Sequence, residues 1–298
     1  MPELPEVESL RLSLKPYIVG KTIQSVIVHK PKLVSSAGTV RTPSEQKKRE
    51  FETKLVNKKI LDITRVAKNM IIHLDSEEII LVHLKMTGQL VYQEQGSPAI
   101  LGGHPIELSE STLPNKHSHI IFTLNEGVMY YNDIRMFGYV LLYPNIDILY
   151  QEGHFEAIGL DPLDNNFTYE YLLKALKKKK SKLKSVLLGQ SIVTGLGNIY
   201  ADEACFQARI LPYRLASSLK PKEVKALYNA IVSIISKAVA MGGSSVANYI
   251  MADGSRGTYA REHNVYGKAG LPCNVCGNPL QKMIINSRTT VFCKFCQK

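Results

Sequence analysis

The chain has 298 residues, enough for two domains with cores of their own, and 45% of them are apolar, which excludes a disordered polymer. It carries 37 Lys and Arg against 26 Asp and Glu, a net charge of +11 that points to a polyanionic partner, nucleic acid before anionic membrane. No apolar run approaches the ~20 residues that span a bilayer, and the charged, amphipathic start is not a signal peptide, so an intracellular protein without a membrane role is expected.

The chain opens Met1-Pro2-Glu3-Leu4-Pro5-Glu6-Val7-Glu8. A small residue after the initiator favours removal of Met1, which would leave Pro2 as a secondary amine. Amino termini titrate at about 8, so part of that amine is neutral and nucleophilic around neutral pH. Attack on a carbonyl-like carbon would give an iminium, an electron sink, and Glu3 or Glu6 could move protons beside it. The same octapeptide also reads as a helix start, which acidic residues and prolines favour. Leu4, Val7, Leu10, Leu14 and Ile18 then recur at helical spacing, with Gly20 as a stop.

Strand patterns follow over Thr22–His29, Ile60–Val66, Met70–Leu74, Glu78–Leu84, His119–Leu124, Val128–Asn132 and Gly138–Tyr143. About seven antiparallel strands suggest two packed sheets. Residues 31–48 read as helix or loop, and 93–116, rich in Gly and Pro, as a long loop. Lys68 falls in a hairpin turn, where a lysine is ordinarily just exposed. Met86 follows a strand, and Arg135 and Phe137 share a turn. Such side chains can wedge into a base stack or fill the hole left by an extruded base.

The character changes near 144–166, where Pro, Gly, Asp and Asn punctuate a linker. Helical patterns then cover Tyr169–Lys180, Leu183–Gly189, Asn198–Ala208 and Pro221–Met241. Lys177, Lys178, Lys179, Lys180, Lys182 and Lys184 form a basic run that reads as a solvated face or as phosphate contacts. Gly195-Leu196-Gly197-Asn198 opens a helix and can present amides to a phosphate, or can serve as a plain packing joint. Cys273-x2-Cys276-x16-Cys293-x2-Cys296 has the spacing of a closed four-thiolate zinc site, structural because no coordination position is left open. Between the pairs lies a hairpin pattern with Arg288 near its tip, suited to a phosphate or a DNA groove.

Taken in order, these motifs resemble the formamidopyrimidine-DNA glycosylase family, bacterial repair enzymes for oxidised purines. The markers are Pro2-Glu3-Leu4-Pro5-Glu6, Lys68, His83-Leu84-x-Met86-x-Gly88 and Lys116-His117-Ser118-His119. They continue with Asp133-x-Arg135-x-Phe137-Gly138, Gly195-x-Gly197-Asn198-Ile199-Tyr200-Ala201-x-Glu203, Val265-Tyr266-Gly267 and the zinc hairpin. The resemblance implies an α+β multidomain fold. An N-terminal antiparallel β-sandwich flanked by helices (1–154) is followed by a linker (155–165). A helical helix–two-turn–helix domain with a capping loop (166–268) and a four-cysteine zinc-ribbon hairpin (269–298) complete it.

The resemblance also implies residue roles. Pro2 would be the Schiff-base nucleophile, Glu3 the proton donor that opens the deoxyribose, and Glu6 a positioning or relay group. Lys68 would touch the lesion phosphate and donate a proton in β-elimination, and Arg288 would serve δ-elimination. His117, Arg135, Lys180, Lys184 and Asn198 would contact DNA. Met86, Arg135 and Phe137 would fill the vacated stack, and Arg256, Gly257, Thr258 and Tyr259 would cap the flipped base. One structural Zn2+, no catalytic cofactor, damaged double-stranded DNA as partner, a monomer and a bacterial cytoplasmic location complete the expectation. Departures occur at Ile134 and Met136, where many relatives carry proline and a basic residue, and at Ser255-Arg256, where Lys-Pro is usual. The alternatives are an endonuclease VIII-like preference for oxidised pyrimidines and a non-catalytic damaged-DNA binder.

Overall fold

The structure, a computed structural model, describes residues 1–38, 40–94, 100–103, 113–244 and 257–298. The chain forms two compact units, Met1–Glu156 with Gly242–Thr258, and Ala157–Met241 with Tyr259–Lys298.

The first unit begins with α1 (Leu4–Ile18), whose Leu4, Leu10, Leu14 and Ile18 are fully buried. Glu3 and Glu6 form a capping box at its start, with the Glu3 N–H donating to Glu6 Oε2 at 2.7 Å. Nine strands follow among the described residues. They are β1 (Ile23–Val28), β2 (Ile60–Val66), β3 (Asn69–Leu74), β4 (Ile79–His83), β5 (Gly88–Gln93), β6 (Ile100–Gly103), β7 (Ser118–Leu124), β8 (Val128–Asp133) and β9 (Tyr139–Tyr143). They make a five-stranded sheet of order β1-β7-β8-β5-β6 and a four-stranded sheet of order β2-β3-β4-β9. All these pairings are antiparallel. One core joins α1 to both sheets through Leu10, Ile63, Ile72, Val82, Ile120 and Tyr131.

The expectation of about seven strands is corrected to nine among the described residues. The pattern over β5 hid it, because polar Gln89 is buried and accepts from Asn132 Nδ2 of β8 at 2.9 Å, so no inside–outside alternation shows. Strand β6 lies inside the stretch expected to be a loop. Within 31–48 lie α2 (Lys32–Ser35) and the start of α3 (Glu45–Lys54). Only Phe51 of α3 is buried, so it lacks an apolar period, while Ser44 caps it by accepting from Lys47 N at 3.2 Å. A short α4 (Ile146–Gln151) lies within the residues read as linker.

The second unit contains α5 (Tyr169–Lys177), α6 (Leu183–Leu188), α7 (Asn198–Gln207) and α8 (Pro221–Ala240), within three residues of the predicted bounds. The hairpin β10 (Gln281–Ile285) and β11 (Arg288–Phe292) turns through Asn286 and Ser287, both in the left-handed region at φ 49 and 57, as a two-residue hairpin turn requires. Phe206 of α7, Val265, Leu280 and Val291 share a core with Cys273 and Cys293, so the hairpin packs on α7. Among the described residues no helix is long and apolar enough to cross a membrane.

Candidate functional site

In the first unit Pro2, Glu3, Glu6 and Lys68 are all buried, while Met1 is exposed. The capping box leaves Pro2 and Glu3 as the residues just before α1. Glu6 uses both oxygens on backbone, Oε2 on Glu3 N and Oε1 on Ser244 N, each at 2.7 Å. Gly243, at φ +82, lies against it, and a Cβ there would stand 2.8 Å from Glu6 Oε1. Lys68 sits in the two-residue turn of the β2–β3 hairpin, where Val66 pairs with Asn69. Burial pushes its ammonium below the ordinary lysine value, against the negative charges of Glu3 and Glu6, and Lys85 adds to the depression.

That turn is strained and held. Ala67 has φ 55, a conformation that favours glycine. Its carbonyl accepts from Arg65 Nη1 at 2.8 Å, while Arg65 Nε lies 2.8 Å from Glu8 Oε2 on α1. Arg11 also bonds Glu8, at 2.6 and 3.0 Å, and reaches the Ile63 carbonyl at 3.1 Å. Burial would raise the Glu8 carboxyl, but the hydrogen bonds of Arg11 and Arg65 outweigh it and hold the group below its ordinary range. No motif pointed to Glu8 or Arg65 beforehand. Nearby, burial and the positive charges of Lys85 and Lys68 push His83 down to about 3, so it stays neutral. Its Nδ1 accepts from Lys85 N at 3.0 Å, which places the proton on Nε2.

The second cluster of this unit is Met86, Arg135 and Phe137. Arg135 Nη1 lies 3.3 Å from Met86 Sδ, and its guanidinium stacks 4.4 Å from the centre of the Phe137 ring. Both apolar partners are unusually open, Met86 at 38% and Phe137 at 42% exposure. Buried Asp133 shapes the turn by accepting from Thr87 Oγ1 and from Gly138 N, and Thr87 Oγ1 accepts from Arg135 N at 3.0 Å. Arg41, invisible as a motif, donates to the carbonyls of Met136 and Gly138. His117 precedes β7, half-buried, with its carbonyl accepting from Asp133 N at 3.1 Å.

In the second unit Arg288 is exposed at the start of β11 and lines a cleft of about 490 Å3 with Asn198, Tyr266 and Lys282. Asn198 opens α7 after Gly197, and its Nδ2 donates to the Thr289 carbonyl at 3.1 Å. The turn before it is laced by Gln190, which accepts from Gly195 N at 2.8 Å and donates to the Leu196 carbonyl at 2.6 Å. Glu203, fully buried, accepts from the backbone N–H groups of Asn264, Val265 and Tyr266 at 2.8 to 3.0 Å, which ties the Val265-Tyr266-Gly267 segment to α7. Lys180 is exposed.

One expectation is corrected. Lys184 is not a surface contact: it is fully buried, with Nζ 2.7 Å from Asp202 Oδ1. Burial pushes the Asp202 carboxyl up to about 6, against the pull of Lys184. Tyr259, expected among the capping residues, is 3% exposed and packs on Tyr200, ring centres 5.7 Å apart. Gly257 is buried with the Gly242 carbonyl where a Cβ would go, and Thr258 is half-buried. Arg256 lies outside the described residues.

Cys273, Cys276, Cys293 and Cys296 converge, their four Sγ atoms all lying within 4.8 Å of one another. The Cys273–Cys296 and Cys276–Cys293 pairs are 3.9 and 3.5 Å apart. Tetrahedral zinc–sulfur bonds of ~2.3 Å require sulfurs ~3.8 Å apart, so the set fits one zinc ion with no open position. Burial and the neighbouring sulfurs push Cys296 up to about 12, a resistance to ionisation that a bound dication removes.

Three family models match along the chain: the Formamidopyrimidine-DNA glycosylase N-terminal domain over residues 1–140, the Formamidopyrimidine-DNA glycosylase H2TH domain over 158–249, and the Zinc finger found in FPG and IleRS over 270–298. Among curated relatives, the formamidopyrimidine-DNA glycosylase of Carboxydothermus hydrogenoformans is 37% identical, covering 100% of both chains. That of Enterococcus faecalis is 38% identical, covering 100% of this chain and 98% of the relative. The Lactococcus lactis Fpg in complex with abasic-site DNA superimposes with a TM-score of 0.84 at 31% identity, covering 99% of each chain. The same enzyme with DNA containing N7-benzyl-Fapy-dG gives 0.83 at 33%, covering 100% of each. With both units and the cysteine knuckles matched in order along its whole length, the chain belongs to the formamidopyrimidine-DNA glycosylase family.

Proposed function

We propose that this chain is a bifunctional DNA glycosylase and AP lyase of base excision repair, removing oxidised purines such as 8-oxoguanine and formamidopyrimidines from duplex DNA. The observation that carries the assignment of chemistry is the buried grouping of Pro2, Glu3, Glu6 and Lys68 at the head of α1. Removal of Met1 frees the Pro2 nitrogen. A purine flipped from the stack, at a cost of a few kcal/mol, exposes C1′ to that amine. The nitrogen forms a bond to C1′ and the base leaves with the glycosidic electron pair. Glu3 protonates O4′ as the sugar ring opens, which leaves an iminium. The iminium acidifies the C2′ proton, and its removal expels the 3′ phosphate. A second elimination expels the 5′ phosphate, leaving a one-nucleoside gap. Lys68 supplies a proton in the first elimination, and burial, which lowers its pKa below the ordinary lysine value, makes its ammonium a readier donor. Arg288 serves the second.

Glu6 acts by holding the Glu3 amide and the 243–244 backbone. Met86, Arg135 and Phe137, stacked together and open, fill the space a flipped base vacates. His117, Lys180 and Asn198 are further DNA contacts. Zinc, held by Cys273, Cys276, Cys293 and Cys296, organises the hairpin that carries Arg288 and takes no part in the reaction. The protein works as a monomer in the bacterial cytoplasm.

Borohydride trapping tests the amine. A covalent complex with 8-oxoguanine duplex is expected from protein that begins at Pro2, and none when one residue precedes it. Absence of a trapped band from correctly processed protein overturns the lyase. Competition between 8-oxoguanine and thymine glycol duplexes tests the substrate, and faster excision of thymine glycol would reassign the chain to pyrimidine lesions.

A further inference from the structure

The buried pair Lys184–Asp202 is unexplained by the chemistry above. Both side chains have no exposure, and Nζ stands 2.7 Å from Oδ1. Each partner also grips β11. Lys184 Nζ donates to the Thr289 carbonyl at 3.1 Å, and Asp202 Oδ2 accepts from the Val291 N–H at 3.1 Å. These two backbone groups flank fully buried Thr290, two residues after Arg288. The Thr289 carbonyl takes a third anchor, Asn198 Nδ2, also at 3.1 Å.

Desolvating two full charges is expensive, and an apolar pair would fill the space as well. What a charged pair adds is polarity. A cation can hold only a carbonyl, and a carboxylate only an N–H. In a strand, the carbonyl of residue i and the N–H of residue i+2 point to the same side. Lys184 on α6 and Asp202 on α7 therefore hold one edge of β11 at two successive points and in one chain direction, next to Arg288. A shift or tilt of that edge breaks both ties and moves Arg288. Asp202 lies on α7, four residues after Asn198, so the same helix sets both the Asn198 turn and the Arg288 strand.

We propose that Lys184 and Asp202 are positioning residues that lock the Arg288 strand in place against α7, so that the second elimination depends on them far more than base removal does. This rests on the role given above to Arg288. The test compares K184M/D202L, D202E and R288Q, all loaded with zinc, on an 8-oxoguanine duplex. Base release, the ratio of δ- to β-elimination product, zinc content and thermal midpoint are measured for each. For K184M/D202L, zinc content and base release are expected within about twofold of the parent, with the δ:β ratio down at least tenfold, as in R288Q. D202E keeps the charge but lengthens the tether, and is expected to lower the ratio about threefold at full zinc occupancy; it decides the matter if the double variant fails to fold. An unchanged ratio in either folded variant, while R288Q loses the second elimination, overturns the lock and leaves the role of Arg288 standing. If R288Q retains the second elimination, the role of Arg288 falls and the lock falls with it.

Discussion

Single residues set the protonation and shape of the head of α1. Gly243 combines a left-handed backbone with a Cβ position 2.8 Å from Glu6 Oε1. Gly243→Ala should therefore cost more than about 1 kcal/mol in backbone strain alone, displace Glu6 from the Glu3 amide, and cut borohydride trapping at least tenfold at equal DNA binding. Lys68 makes a pH prediction. Its folded pKa lies below the unfolded value, because burial disfavours the ammonium. Between those two values the unfolded chain binds the extra proton, so stability rises with pH through the window and the penalty is full below it. Thermal unfolding from about pH 7 to about pH 10, under the unfolded lysine value of ~10.4, should show a rise in the parent that Lys68→Met abolishes. The methionine variant should be more stable than the parent at neutrality and lack β-elimination.

At the scale of elements, the link from α1 to the β2–β3 hairpin runs through Glu8, Arg65 and the strained Ala67 carbonyl. Arg65→Met removes the donor and leaves Glu8 with Arg11 alone. The loss expected for a half-buried charged hydrogen bond is about 1.5–3 kcal/mol, read by chemical denaturation, together with slower strand cleavage than base release because Lys68 loses its mount. Glu203 is the corresponding tie in the second unit. Glu203→Gln keeps the size but can accept fewer of the N–H groups of Asn264, Val265 and Tyr266. A cost of about 1–3 kcal/mol for each donor left unsatisfied follows. The zinc hairpin depends on its metal in the same way: chelation should melt the hairpin and weaken DNA binding at least tenfold, measured by fluorescence anisotropy, with the β-sandwich still folded by circular dichroism.

For the whole molecule, the excess of positive charge is the general grip on DNA. If Arg135, Lys180, Arg288 and one further cation neutralise about four phosphates, log affinity should fall with log salt at a slope of about −3.6. Lys180→Ala and Arg288→Ala should each flatten that slope by about one contact. Lys184→Met should leave it unchanged, since a fully buried ammonium releases no counterion. A flat salt response in the parent would remove the electrostatic groove altogether.

Helix α1, the four helices of the second unit, the Arg288 hairpin and the zinc cysteines were legible along the chain, because apolar period, capping residues and ligand spacing are properties of near neighbours. Even the missed strand β5 obeys this rule in reverse: its buried Gln89 is satisfied by Asn132, 43 residues away, and no local pattern records that bond. Lys180 and Lys184 look alike in the lysine run, yet one is exposed and the other meets Asp202 in the core. Glu8, Arg65, Arg41 and Gln190 are ordinary letters until folding brings a guanidinium to Glu8 and a carboxylate or a carbonyl to each of the others. The sequence by itself determined where α1, the helices of the second unit, the Arg288 hairpin and the metal ligands lie. Only the tertiary structure decided which charges face solvent and which hold the frame, because burial of a charge depends on a partner that folding, and not chain proximity, delivers.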